Sequence, residues 1–567
     1  MSLALPFPLD RRLVEQAISD GERYVLFFRG YLNGMALIAR LPPELLSEVF
    51  LHIVRWAFED IAASYYLSSG GSRFYTWITV SHVCRAWRAV ALGTPRLWSH
   101  IVLTRSPVFV EVFKRSKKAP LVVLAPVPSL ARQTAELLNH VLLEPARLQD
   151  LRLYAPAHIV RSTCKKLTGP LPLLENVILA DHSYPVSGYT EDSDALPPPT
   201  SFCAPLSKLR SLEICRLAMS WQNPVLSSTI TELVVIGRFD MQRFLGSFDD
   251  LLGALETLSH LRVLELADSI PMLPEDTTKL PTPQRVIALP ELRRLALTGP
   301  TLDCAFLVNH LSFPAHTRIF LRGYYLDADQ EFLRTVQNHS ARSGKLLAVR
   351  LSRAFSRTFV MKGWLTPESQ SFDPFVEVQL DAPNSYNAAS KLARHALFAS
   401  VRVLTIDVNY YQWTWRTVLA GFPGVRTLSV HGHPDKLLSA LCATRKPRNK
   451  HDHLPSQLPL PLLEVMKLSD VSISRPLPDG LTFLHDLEDW LLLRCNHEMP
   501  ITDLHLNDCY GVTKEDVARL AQIVTNVTWD GAELYDGIEE EDETEPASDN
   551  SDLPLPYYDY YFDFEDE

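Results

Sequence analysis

One pattern constrains this chain more than any other. An apolar residue, two variable positions, a second apolar residue, one variable position and a third apolar residue recur from Leu148 to Leu506. The pattern is found at Leu148-Leu151-Leu153, Leu174-Val177-Leu179, Leu209-Leu212-Ile214, Ile230-Leu233-Val235 and Leu261-Leu264-Leu266. It continues at Leu292-Leu295-Leu297, His316-Ile319-Leu321 (its first position polar), Leu346-Val349-Leu351 and Phe375-Val378-Leu380. The last four are Val401-Leu404-Ile406, Val425-Leu428-Val430, Leu463-Met466-Leu468 and Ile501-Leu504-Leu506. Alternation across the last three positions is the mark of a strand with one buried face. Thirteen such units at comparable spacing exclude chance alternation and predict a stacked array, since one unit cannot bury its apolar face alone.

The mean spacing of about 29 residues lies at the upper end of the leucine-rich-repeat range. The last unit, Leu504-His505-Leu506-Asn507-Asp508-Cys509, with the helical Glu515 to Ala521 after it, closely resembles the cysteine-containing repeat of leucine-rich F-box proteins. Thr513 with Asp516 supplies a helix start. The polar residue that usually follows the last leucine by three positions is mostly replaced here (Pro156, His182, Arg238, Ser269, Pro300), with Asn409 and Cys509 as exceptions. The resemblance implies an α/β chain: an irregular leucine-rich-repeat solenoid over 104–530, with a concave parallel sheet and helices and loops outside. In such a solenoid the variable position between the last two apolar residues faces the concavity. That column contains Arg152, Glu213, Glu265, Phe320, Arg350, Gln379, Lys467 and His505, the candidate residues for binding a protein target. Its mixture of charge, amide and aromatic groups names no ligand class.

Ahead of the repeats lie two helical stretches. Leu41-Pro42-Pro43-Glu44-Leu45-Leu46 opens the first, with prolines and an acid where a helix start tolerates them. Leu45, Leu46, Val49, Phe50 and Ile53 then form an apolar stripe; Val80, Val83, Cys84, Trp87 and Val90 form another before Gly93-Thr94-Pro95-Arg96-Leu97-Trp98. This order resembles the F-box, most closely the F-box-like proteins of mushroom-forming fungi. The resemblance implies a three-helix module over 39–103, with a long internal insertion at 54–76, that docks on Skp1 and through it on a cullin ubiquitin ligase. The Skp1-facing residues would be Leu41, Pro42, Leu45, Leu46, Val49, Val80, Cys84 and Trp87. Residues 1–38 contain one helical segment, Leu13 to Asn33, expected to pack against this module.

Composition sets the remaining limits. A net charge of −11 argues against a nucleic-acid binder, and no apolar run of about 18 residues predicts a membrane span. Met1 to Arg12 is too short and proline-broken for a signal peptide. Eight scattered cysteines suit reduced thiols in the cytoplasm or nucleus. His431, His433, His451 and His453 near Cys442 raise the question of zinc, but they stand in proline-flanked loops; no metal or other cofactor is expected. Arg445 to Lys450 reads either as an import signal or as a solvated loop. No phosphate loop, nucleophile elbow or metalloprotease motif is present, so an enzyme is not expected. The tail from Gly531 to Glu567 contains fifteen acids and no base, the composition of a disordered segment. The sequence thus predicts a non-catalytic substrate-recognition subunit of a Skp1–cullin–F-box ligase. A repeat scaffold or sensor acting outside such a ligase is the alternative.

Overall fold

The computed structural model describes residues 10–65, 71–103, 108–126, 132–167, 170–181, 206–217, 220–237, 246–274, 277, 280, 283–324, 334–335, 338–339, 342, 344–354, 358–367, 373–381, 398–407, 415–432, 435–442, 458–473 and 482–532. They form two compact units that divide between Leu209 and Arg210. Ser183 to Thr200, the basic loop, His433, His451, His453, Asn409 and the acidic tail beyond residue 532 lie outside the described residues.

The first unit opens on α1 (Arg11–Met35), α2 (Pro43–Tyr65) and α3 (Arg85–Gly93), with 3-10 turns over Gly71–His82 and Pro95–Ser99. Four parallel strands follow, β1 (His100–Val102), β2 (Leu121–Pro126), β3 (Leu148–Ala155) and β4 (Asn176–Asp181), with a helix between each consecutive pair. Helical crossovers of this kind cover the sheet, so its strands carry more apolar positions than strict alternation would. Every residue of β1 is buried, and β2, β3 and β4 each have two part-exposed positions among buried ones.

The second unit holds a large, mostly parallel sheet. Its first strands run in chain order: β5 (Ser211–Cys215), β6 (Glu232–Ile236), β7 (Val263–Ala267), then, past the short β8 (Ile287–Ala288), β9 (Arg294–Pro300). A two-stranded ladder joins β8 to β10 (Leu311–Ser312). Next come β11 (Arg318–Tyr324), β12 (Ala348–Ala354), β13 (Thr358–Trp364) and β14 (Val376–Asp381), and here spatial order breaks. β11 pairs with β14, β14 with an antiparallel β13, and β13 with an antiparallel β12. The parallel run resumes from β12 through β15 (Val403–Asp407), β16 (Thr427–His431), β17 (Val465–Ser469), β18 (Asp503–Asn507) and β19 (Asn526–Trp529).

All thirteen apolar units fall on strands, and their middle residues are at most 3 % exposed. In the first half, Leu212, Leu233, Leu264, Leu295 and Ile319 stand in one register. Val349, Leu404, Leu428, Met466 and Leu504 do so in the second. The one-strand-per-repeat solenoid is not what is observed. An antiparallel strand with no unit of its own sits mid-sheet, and it separates two units that are neighbours in the chain. The register also slips by two at β14, where Ile319 is level with Val376 and not with Val378. The chain is mixed α/β with a large, mostly parallel sheet.

Strand ends share one device. Arg216, Asp268, Asp470 and Asp508, each just past β5, β7, β17 or β18, have φ between 48° and 59°, left-handed backbone that turns the chain out of the sheet. Aspartate tolerates this conformation better than most residues, and three of the four are Asp. Thr513 and Asp516 form the expected capping box, Asp516 N donating to Thr513 Oγ1 at 3.3 Å and Thr513 N to Asp516 Oδ2 at 3.0 Å, and Ser247 with Asp250 repeats it.

One carboxylate makes this unit pH-sensitive. Asp303, 4 % exposed, is raised by burial to about 6, opposed only by the hydrogen bond donated from Leu273 N at 3.1 Å. Between its ordinary value near 3.8 and 6, the native state keeps a proton that the unfolded chain has released. Stability from this group is therefore full below that window and falls as pH rises through it, by about 3 kcal/mol in total. Asp303→Asn should flatten that slope: the melting difference between variant and wild type should grow in the variant's favour from pH 4 to 7. A difference that stays constant would show that Asp303 titrates normally.

Candidate docking site

The α2 helix carries two rows at four-residue spacing. Leu46, Phe50, Val54, Phe58 and Ala62 are buried at 5 % exposure or less, whereas Leu45, Val49 and Ile53 are 38–55 % exposed, as is Leu41 (38 %) in the extended stretch just ahead of the helix. Residues four apart stack on one helix face, so adjacent rows head in different directions although Leu45 and Leu46 are neighbours in sequence.

The buried row builds the module's core. Phe50 meets Trp87 of α3 at 5.0 Å between ring centroids, and Phe58 meets Phe74 at 5.9 Å. Trp98 donates its indole N–H to Ala91 O at 2.8 Å and lies 5.2 Å from Trp77, while the Arg115 guanidinium sits 4.5 Å above its ring. The stripe from Val80 to Val90 is not one helix: 3-10 turns end at His82 and α3 starts at Arg85. Cys84 is the N-cap of α3, its Sγ accepting from Trp87 N at 3.4 Å. Of the expected Skp1-facing set, Leu41, Leu45 and Val49 are exposed on one row beside Pro42, which precedes α2. Leu46 and Val80 belong to the core, at 5 % and 7 % exposure. Sequence reading left out Trp56 and Leu92, 71 % and 37 % exposed, and placed Val83, 57 % exposed, in the apolar stripe but outside the Skp1-facing set; on α2, the failure of Trp56 to continue the buried row was the available signal.

Below α2, Arg152 on β3 is engaged within the chain. Its guanidinium forks onto Glu59 at 2.6 and 2.8 Å, reaches both oxygens of Asp150 at 3.2 Å, and lies 5.1 Å from the Phe58 ring. Burial raises the Asp150 pKa, and Arg152 opposes that rise. A cavity of about 160 Å3 lies nearby, lined by Arg55, Arg96, His100, Asp150 and Asn176 among others. Burial takes His100 down to about 4, so it is neutral at pH 7.

For the rest of the expected target-binding column, the ladders set Glu213, Glu265 and Phe320 in one row and Arg350, Lys467 and His505 in another, several of them engaged by neighbours within the chain. Glu265 faces Arg294 across the ladder at 3.8 Å, and Arg350 donates to Asp407 at 2.9 Å. Gln379 is 1 % exposed and donates to Glu377 at 2.8 Å. Glu213 lies 3.2 Å from the Cys215 thiol, and His505 Nδ1 lies 2.6 Å from Thr528 Oγ1. Phe320 is half-buried and Lys467 exposed. Among the described residues no group of three or more His, Cys, Asp or Glu is placed to hold a metal, and no helix is long and apolar enough to cross a membrane.

No curated protein matches the chain. Residues 38–104, the span that folds into α2, the 3-10 turns and α3, match the family model described as F-box-like.

Proposed function

We propose that the chain is the substrate-recruiting subunit of a Skp1–cullin–F-box ubiquitin ligase. The observation that supports this reading is the exposed row Leu41, Leu45, Val49 and Ile53, on a module otherwise packed around Phe50, Trp87 and Trp98, within the span that matches an F-box-like domain. A solvent-facing apolar ladder on a well-packed helix marks a docking face. The chain's part would be proximity: the module holds the adaptor, the second unit holds the target, and a separate enzyme supplies the chemistry. Ladder residues such as Lys467 and the Arg350–Asp407 pair offer a mixed-charge face suited to a protein target.

The test separates the two rows of α2. Leu45→Asp with Val49→Asp should weaken Skp1 binding at least about a hundredfold, since each loses an apolar contact worth about 1.5–3 kcal/mol. The melting temperature should hardly move, because both side chains face solvent. Leu46→Asp should instead unfold the module. Retention of Skp1 by the folded double variant would overturn the reading.

A further inference from the structure

The α1 helix is 25 residues long and none of them is buried. Most helical stability in proteins comes from packing an amphipathic face, and Gly21, Gly30 and Gly34 weaken this helix on its own. Its apolar residues nonetheless follow a rule. Val14, Ala17, Gly21, Tyr24, Phe28, Tyr31 and Met35 succeed one another at alternating spacings of three and four, the heptad seam by which a helix packs on a helix. Ile18, Val25 and Leu32, seven apart, widen the seam on one side. Off the seam the helix mixes signs, with Arg12, Glu15, Glu22, Arg23 and Arg29 beside exposed Leu13, Leu26 and Phe27, so it lacks the uniformly basic character of a helix that lies on a membrane.

We propose that α1 pairs antiparallel with α1 of a second copy of this chain. The seam is graded, small at one end and large at the other, and that grading is complementary to its own reversed copy. With a two-fold axis beside Tyr24 and Val25, Val14 lies level with Met35, Ala17 with Leu32, and Gly21 with Phe28. Gly21 adds no side chain of its own to the seam, so a partner's Phe28 ring would meet only backbone there. Large side chains facing small ones interdigitate, whereas a parallel pair would set aromatic against aromatic and glycine against glycine. The contact is isologous and closes as a dimer. Tyr24, Phe28, Tyr31, Leu32 and Met35 are 61–68 % exposed. The pairing also places the two F-box-like modules at opposite ends of a rod about 37 Å long, by the rise per residue, leaving both exposed α2 rows free.

The full chain, without any adaptor, should sediment at tens of micromolar as a species of twice 64.1 kDa, and Phe28→Glu should return it to 64.1 kDa with its helical signal otherwise retained. Orientation is read by cysteine pairing. Mixing Gly21→Cys chains with Phe28→Cys chains should give heterodisulfides under mild oxidation, and neither variant alone should cross-link through the new thiol. A monomeric wild type overturns the proposal, as does a dimer indifferent to Phe28→Glu or one that forms only homodisulfides. A monomer in which Phe28→Glu lowers Skp1 capture would assign α1 to the adaptor instead. A monomer that collects on lipid vesicles would assign it to a membrane surface. Because mass is measured without Skp1, failure of the adaptor reading leaves this result unaffected.

Discussion

Arg494→Met should destabilise the second unit by about 4 kcal/mol, one of the largest losses available from a single polar side chain. Arg494 is fully buried in the helix Phe483–Asn496, and among the described residues it has no carboxylate partner. Its donors go instead to carbonyls: Nε to Met499 O at 3.0 Å, Nη1 to Leu460 O at 3.2 Å and Pro459 O at 3.4 Å, and Nη2 to Leu463 O at 3.0 Å. Trp490 lies 5.4 Å from the guanidinium carbon. Leu460 has φ of 52°, an uncommon conformation for a leucine, on the turn that delivers β17. The arginine thus holds a strained turn and the end of its own helix together. Burial lowers its pKa to about 10, which still leaves it charged at neutral pH. Methionine fills much of the volume but leaves those carbonyls without a donor, each at a cost of about 1–3 kcal/mol offset by the relief of burying no charge. Arg494→Lys should lose nearly as much, because one ammonium on a flexible stem cannot span the same carbonyls. Urea unfolding of both variants checks this, and a wild-type midpoint for the lysine variant would show that charge matters and the planar fork does not.

Sequence and structure agree where burial alone sets the pattern. Each apolar unit became a strand because its inward residues exclude water whatever lies beside them. They part where a partner far along the chain decides. Thr358 to Trp364 lacks the three-then-two spacing, and its antiparallel place between β12 and β14 depends on pairings that no local pattern encodes. At β14, Phe375 and Val376 are both apolar, so the spacing from Phe375 competes with plain alternation through Val376, Val378 and Leu380; alternation prevails. Arg152 stands in the column expected to face a target, yet Glu59, ninety-three residues earlier, takes its guanidinium. On α2, adjacent apolar residues merged two rows into one apparent stripe, and only packing separated core from docking face. The amphipathic α1 predicted a packed helix, but the F-box-like module closes its core without it.

The strand register carries the last prediction. Leu264 on β7 is fully buried, level with Leu233 and Leu295, which are equally buried. Leu264→Asp puts a carboxylate among aliphatic side chains that offer no donor, and the group must either stay charged at high cost or take up a proton at neutral pH. The expected loss is about 4–5 kcal/mol, with a local collapse of protection in β6, β7 and β9 seen by hydrogen exchange. Glu265 is the next residue and points to the other face, where Arg294 stands 3.8 Å away. Removing that long, partly exposed ion pair with Glu265→Ala should change stability by less than about 1 kcal/mol. Because side chains alternate strictly along a strand, a one-residue slip would exchange the two outcomes. Similar melting losses for Leu264→Asp and Glu265→Ala would therefore contradict the parallel ladder from β5 to β9, and with it the sheet on which the second unit is built.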